Sequence, residues 1–187
     1  MKINTFNAPL CFRIGLITGL TAMLLLGSST LQAVCNANVA NTRPDNQYEV
    51  LAGSSGSEVR DKVTKLVWLR CVVGMAWNGT TCTGASAALT WVQAADAVRN
   101  ALPSRVSGSK LWRLPNHAEL YSLADRACRS PAINSSWFPA TPADGVWSSS
   151  VNAGYSELAW NVDFDGGFAY DGYKNQAYRV RLVRTIE

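Results

Sequence analysis

The sequence contains a single histidine, His117, and none of its five cysteines forms a C-x-x-C pair. Structural zinc sites need four Cys or His ligands at short, regular spacing, so the chain lacks the pattern of a zinc-binding domain. A strong excess of one charge is also missing, since 17 Lys and Arg residues stand against 13 Asp and Glu residues. Nucleic-acid-binding domains usually carry a basic stripe, and we therefore expect no nucleic-acid partner.

Apart from its amino-terminal segment, the chain has no long apolar run. In that segment, Lys2 and Arg13 precede an uncharged apolar stretch at 14–27. A small residue, Ala33, ends the segment. The pattern predicts a secretory signal peptide over residues 1–33, because the apolar stretch is too short to span a bilayer. We expect the mature chain to be secreted, periplasmic or at the cell surface, without a stable membrane anchor.

Cysteine pairing follows from that compartment. Cys11 lies in the predicted signal peptide, which leaves an even number of cysteines in the mature chain, namely Cys35, Cys71, Cys82 and Cys128. An even number in an exported chain indicates disulfides, and four cysteines allow three pairings. The Asn78-Gly79 turn favours a bridge between Cys71 and Cys82, which would leave Cys35 to pair with Cys128.

The first part of the mature chain is polar and rich in turn residues. We expect residues 34–57 to form an irregular arm that Cys35 holds to the domain, and residues 58–187 to form one compact domain. The domain begins with an apolar and polar alternation that predicts a hairpin, with strands at 58–61 and 66–70.

Two capping boxes predict two helices. Thr90 with Gln93 begins the first and Asn116 with Glu119 the second, because the two side chains of such a pair can each bond to the other's backbone N–H. The expected apolar face of the first helix consists of Val92, Ala95, Val98 and Leu102. Pro103 is expected to end this helix. The second helix follows a short predicted strand at 111–113, and its expected buried residues are Leu120, Leu123 and Ala124.

The second half of the chain alternates between strands and turns. Strands are predicted at 145–150, 157–164, 168–171 and 177–184, separated by Gly, Asp and Asn. Side chains alternate between the faces of a strand, so the apolar residues of the second strand share one face, whereas Arg179 and Arg181 point outward from the last. Two helices followed by an antiparallel meander predict an α+β domain with the helices on one side of the sheet.

Four bulky apolar residues are assigned to the core. Trp147 and Trp160 lie within predicted strands, and Trp160 shares its face with Leu158, Val162 and Phe164. Trp112 and Leu114 lead from a strand into the capped second helix, which makes both of them structural residues.

Eight short segments carry a family resemblance. They are LVWLRC, GMAWNGTTCTG, LTWVQAADA, WRLPNHAEL, PAIN, VWSSS, AWNVDF and YRVRLVR, in this order between residues 58 and 184. The series resembles the C-terminal domain family of the Legionella collagen-like protein. The WRLP element and the last strands are also similar to the wider C-type-lectin-like superfamily, which includes formylglycine-generating enzymes and the variable proteins of diversity-generating retroelements.

The resemblance implies a C-type-lectin-like fold whose first and last strands meet and whose ligand face lies on the irregular second half. It also implies an adhesin that binds an extracellular glycan or a surface protein. The family's collagen-like member binds sulfated glycosaminoglycans as a trimer, and this chain differs from it in having no Gly-x-y repeat. The sequence predicts no oligomeric state.

The ligand face is predicted in the turn-rich stretch between Asn152 and Gln176. Its expected centre consists of Tyr170, Asp171, Tyr173 and Asn175, because rigid aromatic rings beside carboxylates and amides suit stacking on sugars or docking on proteins. Arg179 and Arg181 are the residues expected to meet an anionic group of the ligand.

Calcium and catalysis are the two rival kinds of chemistry. Asp163 and Asp165 would hold calcium, but the stretch fails as an EF-hand loop at Phe168 and Lys174, and clustered Asp and Gly residues are also typical of hairpin turns. His117 has no obvious carboxylate or nucleophile partner in the sequence. We therefore predict a recognition module without a cofactor and without catalysis; the alternatives are an enzyme related to the formylglycine generators and a variable display protein.

Overall fold

The computed structural model describes residues 33–100 and 112–185 of the 187-residue chain. The predictions for the body of the signal peptide, for Leu102 and Pro103 and for residue 111 lie outside these residues. Within them the chain is mostly β, with the short helices α1 (Trp91–Asn100) and α2 (His117–Tyr121) and a 3-10 helix (Asp45–Gln47). The strands are β1 (Val34–Cys35), β2 (Tyr48–Val50), β3 (Glu58–Asp61), β4 (Leu66–Leu69), β5 (Ala76–Trp77), β6 (Cys82–Thr83), β7 (Cys128–Arg129), β8 (Gly145–Val151), β9 (Leu158–Asp163), β10 (Phe168–Tyr173) and β11 (Val183–Thr185).

The four-stranded sheet joins the two ends of the domain. Its antiparallel strands run in the order β11-β4-β3-β2, and β3 with β4 is the predicted hairpin. The last strand pairs with the second arm of that hairpin, so that Val183 lies opposite Trp68. The arm predicted to be irregular supplies β2, and Tyr48 of this strand is only 3% exposed. The arm therefore extends the sheet and contributes to the core. The prediction included only its attachment to the domain through Cys35.

A second sheet of three antiparallel strands has the order β10-β9-β8. One of its faces packs Val146, Val162 and Phe164 against Leu120 and Ile133 in a cluster of buried residues. β10 has no further strand beside it among the described residues, so it forms the outer edge of this sheet. Two small pairs, β1 with β7 and β5 with β6, complete the strands.

The two tryptophans assigned to the core differ in their burial. Trp147 is completely buried, as predicted, and its indole N–H donates to the carbonyl of Leu89. Trp160 is only half-buried, which corrects its assignment to the core. Its ring lies against the imidazole of His117 in α2, with the ring centroids 4.9 Å apart. The helix therefore covers part of the tryptophan and leaves the remainder at the surface.

The last predicted strand, 177–184, is a strand only from Val183 onward. The preceding residues form isolated bridges, Tyr178 with Leu89 and Arg179 with Val146. The segment therefore runs between the two sheets and contacts both of them. This position makes Val180, Leu182 and Val183 almost completely buried, and it prevents the two-faced alternation that an edge strand would show.

Arg181 lies in this buried segment, and the prediction that it points outward is wrong. It is 0% exposed. Its guanidinium donates to the carbonyls of Leu69 and Arg70 and to the hydroxyl of Thr141, and it lies over the ring of Phe138. Burial lowers the pKa of Arg181 to about 9. A group in this position cannot contact an external ligand, and its bonds instead connect β4 to the segment around Thr141.

Both capping boxes are formed. The Thr90 and Asn116 side chains accept from the backbone N–H of Gln93 and Glu119, and the Gln93 and Glu119 side chains accept from the backbone N–H of Thr90 and Asn116. In α1 the predicted apolar face is wrong at Val92, which is 59% exposed, and is confirmed at Val98. The residues of α1 that pack on the core are Trp91, Ala94 and Val98. After the second cap, the predicted burial of Leu120, Leu123 and Ala124 is confirmed.

Glu119 makes the stability of the α2 cap dependent on pH. Two bonds of 2.7 Å from the Arg113 guanidinium lower the pKa of Glu119, and the Asn116 N–H lowers it further against the opposing effect of burial. A carboxyl group whose pKa is lowered by folding stabilises the folded state at pH values above its ordinary pKa of about 4.3. This contribution is lost as the pH falls from that value through the lowered pKa. We expect Glu119→Gln to remove about 1 kcal/mol at pH 7, because the pair is partly exposed.

Urea unfolding at pH 7 and pH 3.5 tests this expectation. Glutamine can still accept the Asn116 N–H, so the variant should differ from the parent at pH 7 and approach it at pH 3.5. An equal difference at the two pH values would show that the loss arises from packing and not from the carboxylate charge.

The two predicted disulfides are formed. Cys71 pairs with Cys82 and Cys35 with Cys128, across sequence separations of 11 and 93 residues. The short bridge closes the β5–β6 loop, and Trp77 of this loop lies 4.3 Å from the guanidinium carbon of Arg70. The loop between Cys71 and Cys82 is therefore a disulfide-closed flap, and the Trp77 indole covers the buried Arg70.

Candidate functional site

An open groove of about 770 Å³ lies along β10. Its polar lining consists of three tyrosines, two amides and four aspartates, and three of the four residues predicted at the centre of the ligand face, Tyr170, Asp171 and Tyr173, are among them. These residue types stack on sugar rings and bond to hydroxyl groups, which makes the groove the candidate ligand site.

Tyr170 and Tyr173 are the exposed aromatic residues of the groove. Their side chains are 51% and 57% exposed. Because side chains alternate along a strand, the two rings belong to opposite faces of β10. Tyr170 lies opposite Asn161 of β9, and Tyr173 lies opposite Leu158. The predicted ligand centre is therefore divided between the two faces of one edge strand.

Tyr178 forms the inner wall through contact with two glycines. A Cβ atom on Gly145 would lie 2.8 Å from its ring, and a Cβ atom on Gly172 would lie 2.9 Å from it. Any other residue at these positions would push the ring out of place. Burial raises the pKa of Tyr178, and the negative charges of Asp144 and Asp163 raise it further. The wall is thus an aromatic ring in a negative electrostatic environment.

Two of the four aspartates lie beside Tyr178. Asp144 accepts from the Arg179 Nε at 2.9 Å, so this charge is compensated. Asp163 accepts from the backbone N–H of Asp165 at 2.8 Å, and no cation pairs with it among the described residues. Negative charge therefore remains at this end of the groove.

The other two aspartates are exposed and bond to neutral groups. Asp165 accepts from the Ser130 hydroxyl, and Asp171 accepts from the Asn152 amide. None of the described residues that line the groove is Lys or Arg. The groove thus has an excess of negative charge, in contrast to a site for a sulfated polymer.

The remaining predicted ligand residues lie elsewhere. Asn175 is exposed in the turn after β10 but does not line the groove. Arg179 is held by Asp144 and by the carbonyl of Ser86, and Arg181 is buried. The arginines thus serve the fold in this structure, and neither lies on the groove surface.

The candidate calcium residues, Asp163 and Asp165, also line the groove. Within residues 33–100 and 112–185, no group of three or more His, Cys, Asp or Glu side chains is arranged to hold a metal ion. The hydrogen bond from the Asp165 N–H to the Asp163 side chain is the bond that stabilises an Asx turn.

His117, the candidate catalytic residue of the rival interpretation, lies outside the groove. Its Nε2 is buried and has no hydrogen-bond partner within the described part of the chain. The imidazole lies against Trp160 and, 6.1 Å away, stacks on Tyr121. The surroundings of His117 are therefore aromatic and contain no bonded carboxylate.

Sequence reasoning did not assign three of the polar groove residues to the ligand face, Asp144, Asn161 and Tyr178, whereas Gln176 ends the predicted stretch. The signal for Asn161 was present, because strand alternation places it on the same face as Asp163. The contact of Tyr178 with Gly145 and Gly172 joins residues far apart in the chain, and local patterns do not contain such information.

The disulfides agree with the predicted compartment, and a comparison with known protein families agrees with the resemblance. Two disulfides are typical of an oxidising environment, either periplasmic or extracellular. Neither helix in the described part of the chain has the length and apolar character that crossing a bilayer requires. Comparison with the curated proteins gives no significant match. The model of the Lcl C-terminal domain matches residues 57–184, and the chain therefore belongs to the Lcl C-terminal domain family.

Proposed function

We propose that this protein is a non-catalytic recognition module that attaches to an extracellular glycan through the groove along β10. The observation that carries the proposal is the lining of the groove, where exposed tyrosine rings lie beside carboxylates and amides. Aromatic rings stack on the apolar faces of sugars, while carboxylates and amides accept and donate hydrogen bonds to hydroxyl groups. Membership of a family that includes an adhesin supports the same role.

The groove is also held rigidly, as a binding site requires. Six pairs of facing residues connect β10 to β9, from Phe168 opposite Asp163 to Tyr173 opposite Leu158. On the inner side Tyr178 is fixed by its contacts with two glycines and by a bond from its hydroxyl to Gln176. A preformed site of this kind loses little conformational entropy when it binds.

A C-type-lectin-like arrangement is part of this proposal. The last strand joins the sheet of the first hairpin, and the ligand groove lies on the later, turn-rich half of the chain. The position of the candidate groove is the one that the superfamily resemblance implies, whereas the last strand shares a sheet with the first strand of the hairpin but pairs with the second, β4. The absence of catalysis is likewise proposed, on the ground that the His117 imidazole packs among aromatic rings and not beside a carboxylate.

Substitution of the two exposed tyrosines tests the proposal. We expect Tyr170→Ala combined with Tyr173→Ala to melt at nearly the parent temperature, since both rings are more than half exposed. The affinity for a glycan identified on an array should fall by roughly 1 to 4 kcal/mol, the range expected when two contact aromatics are truncated. The array should be probed with and without calcium, because a calcium-dependent signal would assign a metal role to Asp163 and Asp165.

Tyr155→Ala is the matched control, because Tyr155 is 61% exposed but does not line the groove. The single variants then identify the face of β10 that binds, since Tyr170 and Tyr173 lie on opposite faces. Equal losses from Tyr155→Ala and from the double variant would contradict a site in the groove. An array without any bound glycan would contradict a glycan ligand and would favour a surface protein.

A further inference from the structure

Asn161 lines the groove, and its side-chain amide makes no hydrogen bond to the described part of the protein. Its residue is 4% exposed, and its side chain makes no hydrogen bond within residues 33–100 and 112–185. Its Nδ2 would lie 3.1 Å from a Cβ atom on Gly172, next to the Tyr178 ring and the Gln176 Oε1. The polar atoms of this amide are not among the fully buried side-chain atoms, so what remains exposed of the residue faces the groove. An amide that lines a groove and makes no hydrogen bond to the protein is available to bond to a ligand group.

The carboxylates of the groove indicate the charge of that ligand. Four aspartates line it, and among the described residues the only cation bonded to any of them is Arg179, at Asp144. Asp163 lies two residues from Asn161 on the same strand, and the two side chains therefore share a face. An anionic ligand would be repelled here, whereas a cationic group would gain both Coulomb attraction and contact with the tyrosine rings.

We propose that the groove selects a saccharide that carries a free, protonated amino group, with Asp163 pairing with the ammonium and Asn161 bonding to a neighbouring hydroxyl. This inference rests on the proposed glycan-binding function and defines the chemical class of the glycan. In an unsubstituted amino sugar, the ammonium and the adjacent hydroxyls are separated by one carbon–carbon bond. The matching protein groups are therefore expected to be close together, as Asn161 and Asp163 are in β9.

Calorimetric titration with three tetrasaccharides tests the selectivity. The probes are a glucosamine tetrasaccharide, its fully N-acetylated counterpart and a heparin tetrasaccharide, each added to the purified protein at low ionic strength. We expect the glucosamine form to bind about tenfold more tightly than the N-acetylated form, and heparin to bind most weakly. Raising the salt concentration should reduce the difference between the first two, because ions screen the charge.

Two variants assign the groups. Asp163→Asn keeps the bond from the Asp165 N–H but removes the charge, so the preference for the amine should disappear while the affinity for the N-acetylated form stays the same. Asn161→Ala removes no hydrogen bond from the free protein, and it should weaken both ligands about tenfold at a nearly unchanged melting temperature. Glu49→Gln, in β2 outside the groove, also removes one negative charge and should change neither affinity.

The outcomes separate this inference from the proposed function. Binding of the N-acetylated or heparin form as tightly as the glucosamine form would overturn the amino-sugar assignment and retain a glycan-binding groove. Binding of none of the three, with no other glycan bound on the array, would overturn both. If Asn161→Ala unfolds, Asp163→Asn still tests the inference. A preference for the amine that is retained in Asp163→Asn would contradict the proposed pairing of Asp163 with the ammonium group.

Discussion

Trp112→Ala is expected to lower the free energy of unfolding by about 3 to 5 kcal/mol, the usual loss when a large buried aromatic side chain is truncated. Trp112 is 6% exposed and packs with Leu114, Val180 and Leu182. Its ring also lies 5.3 Å from the guanidinium carbon of Arg184. Truncation would therefore leave a cavity and open the ion pair between Arg184 and Glu58 to water.

Trp112→Phe separates the loss of volume from the loss of the indole N–H. The Trp112 Nε1 has no hydrogen-bond partner in the described residues, so phenylalanine should lose only contacts, about 1 to 2 kcal/mol. Urea denaturation of both variants provides the measurement. An alanine variant that unfolds together with the parent would show that the ring is not part of the core.

Removing the Cys35–Cys128 bridge should cost about 4 to 5 kcal/mol, against about 3 kcal/mol for the Cys71–Cys82 bridge, if chain entropy dominates. The two loops span 93 and 11 residues, and the loop-entropy contribution increases with loop length. The Cys35→Ser/Cys128→Ser double variant should therefore melt at the lower temperature. Differential scanning calorimetry at one pH, with each pair of cysteines replaced in turn, measures the two losses.

The short-bridge variant has a second expected effect. Without the Cys71–Cys82 bridge, Trp77 is free to leave Arg70, and its fluorescence should shift to the red at temperatures where the fold persists. An unchanged spectrum, or a larger loss of stability from the short bridge than from the long one, would show that packing within the flap matters more than loop entropy.

Local patterns predicted the elements whose cause is itself local. The Thr90 and Asn116 caps, the hairpin of β3 and β4 and the Cys71–Cys82 staple each depend on residues a few positions apart, and the structure contains all of them. The pairing of Cys35 with Cys128 followed once the short bridge had been assigned.

Tertiary contacts determined the features that local patterns did not predict, namely which faces of the last segment and of α1 are buried. The period of two correctly recognised an extended segment around Arg181, but this segment lies between two sheets, where both of its faces are buried. In α1 the spacing fits more than one apolar face, and packing selected Trp91 over Val92. The ligand face was predicted from Tyr170, Asp171 and Tyr173, whereas the inner wall of the groove depends on the contact of Tyr178 with two glycines that are far apart in the chain.

The bridge between Cys35 and Cys128 also determines how a pulling force would travel through the domain. The residues that line the groove, from Ala143 to Tyr178, all follow Cys128 in the chain. Tension between the amino-terminal side and a ligand in the groove would therefore cross the disulfide and enter the chain at residue 129. Residues 36–127, which include β2 to β6 and both helices, would lie outside this covalent path. Reduction of this one bond would direct the same force along the backbone through β2, β3 and β4 of the first sheet.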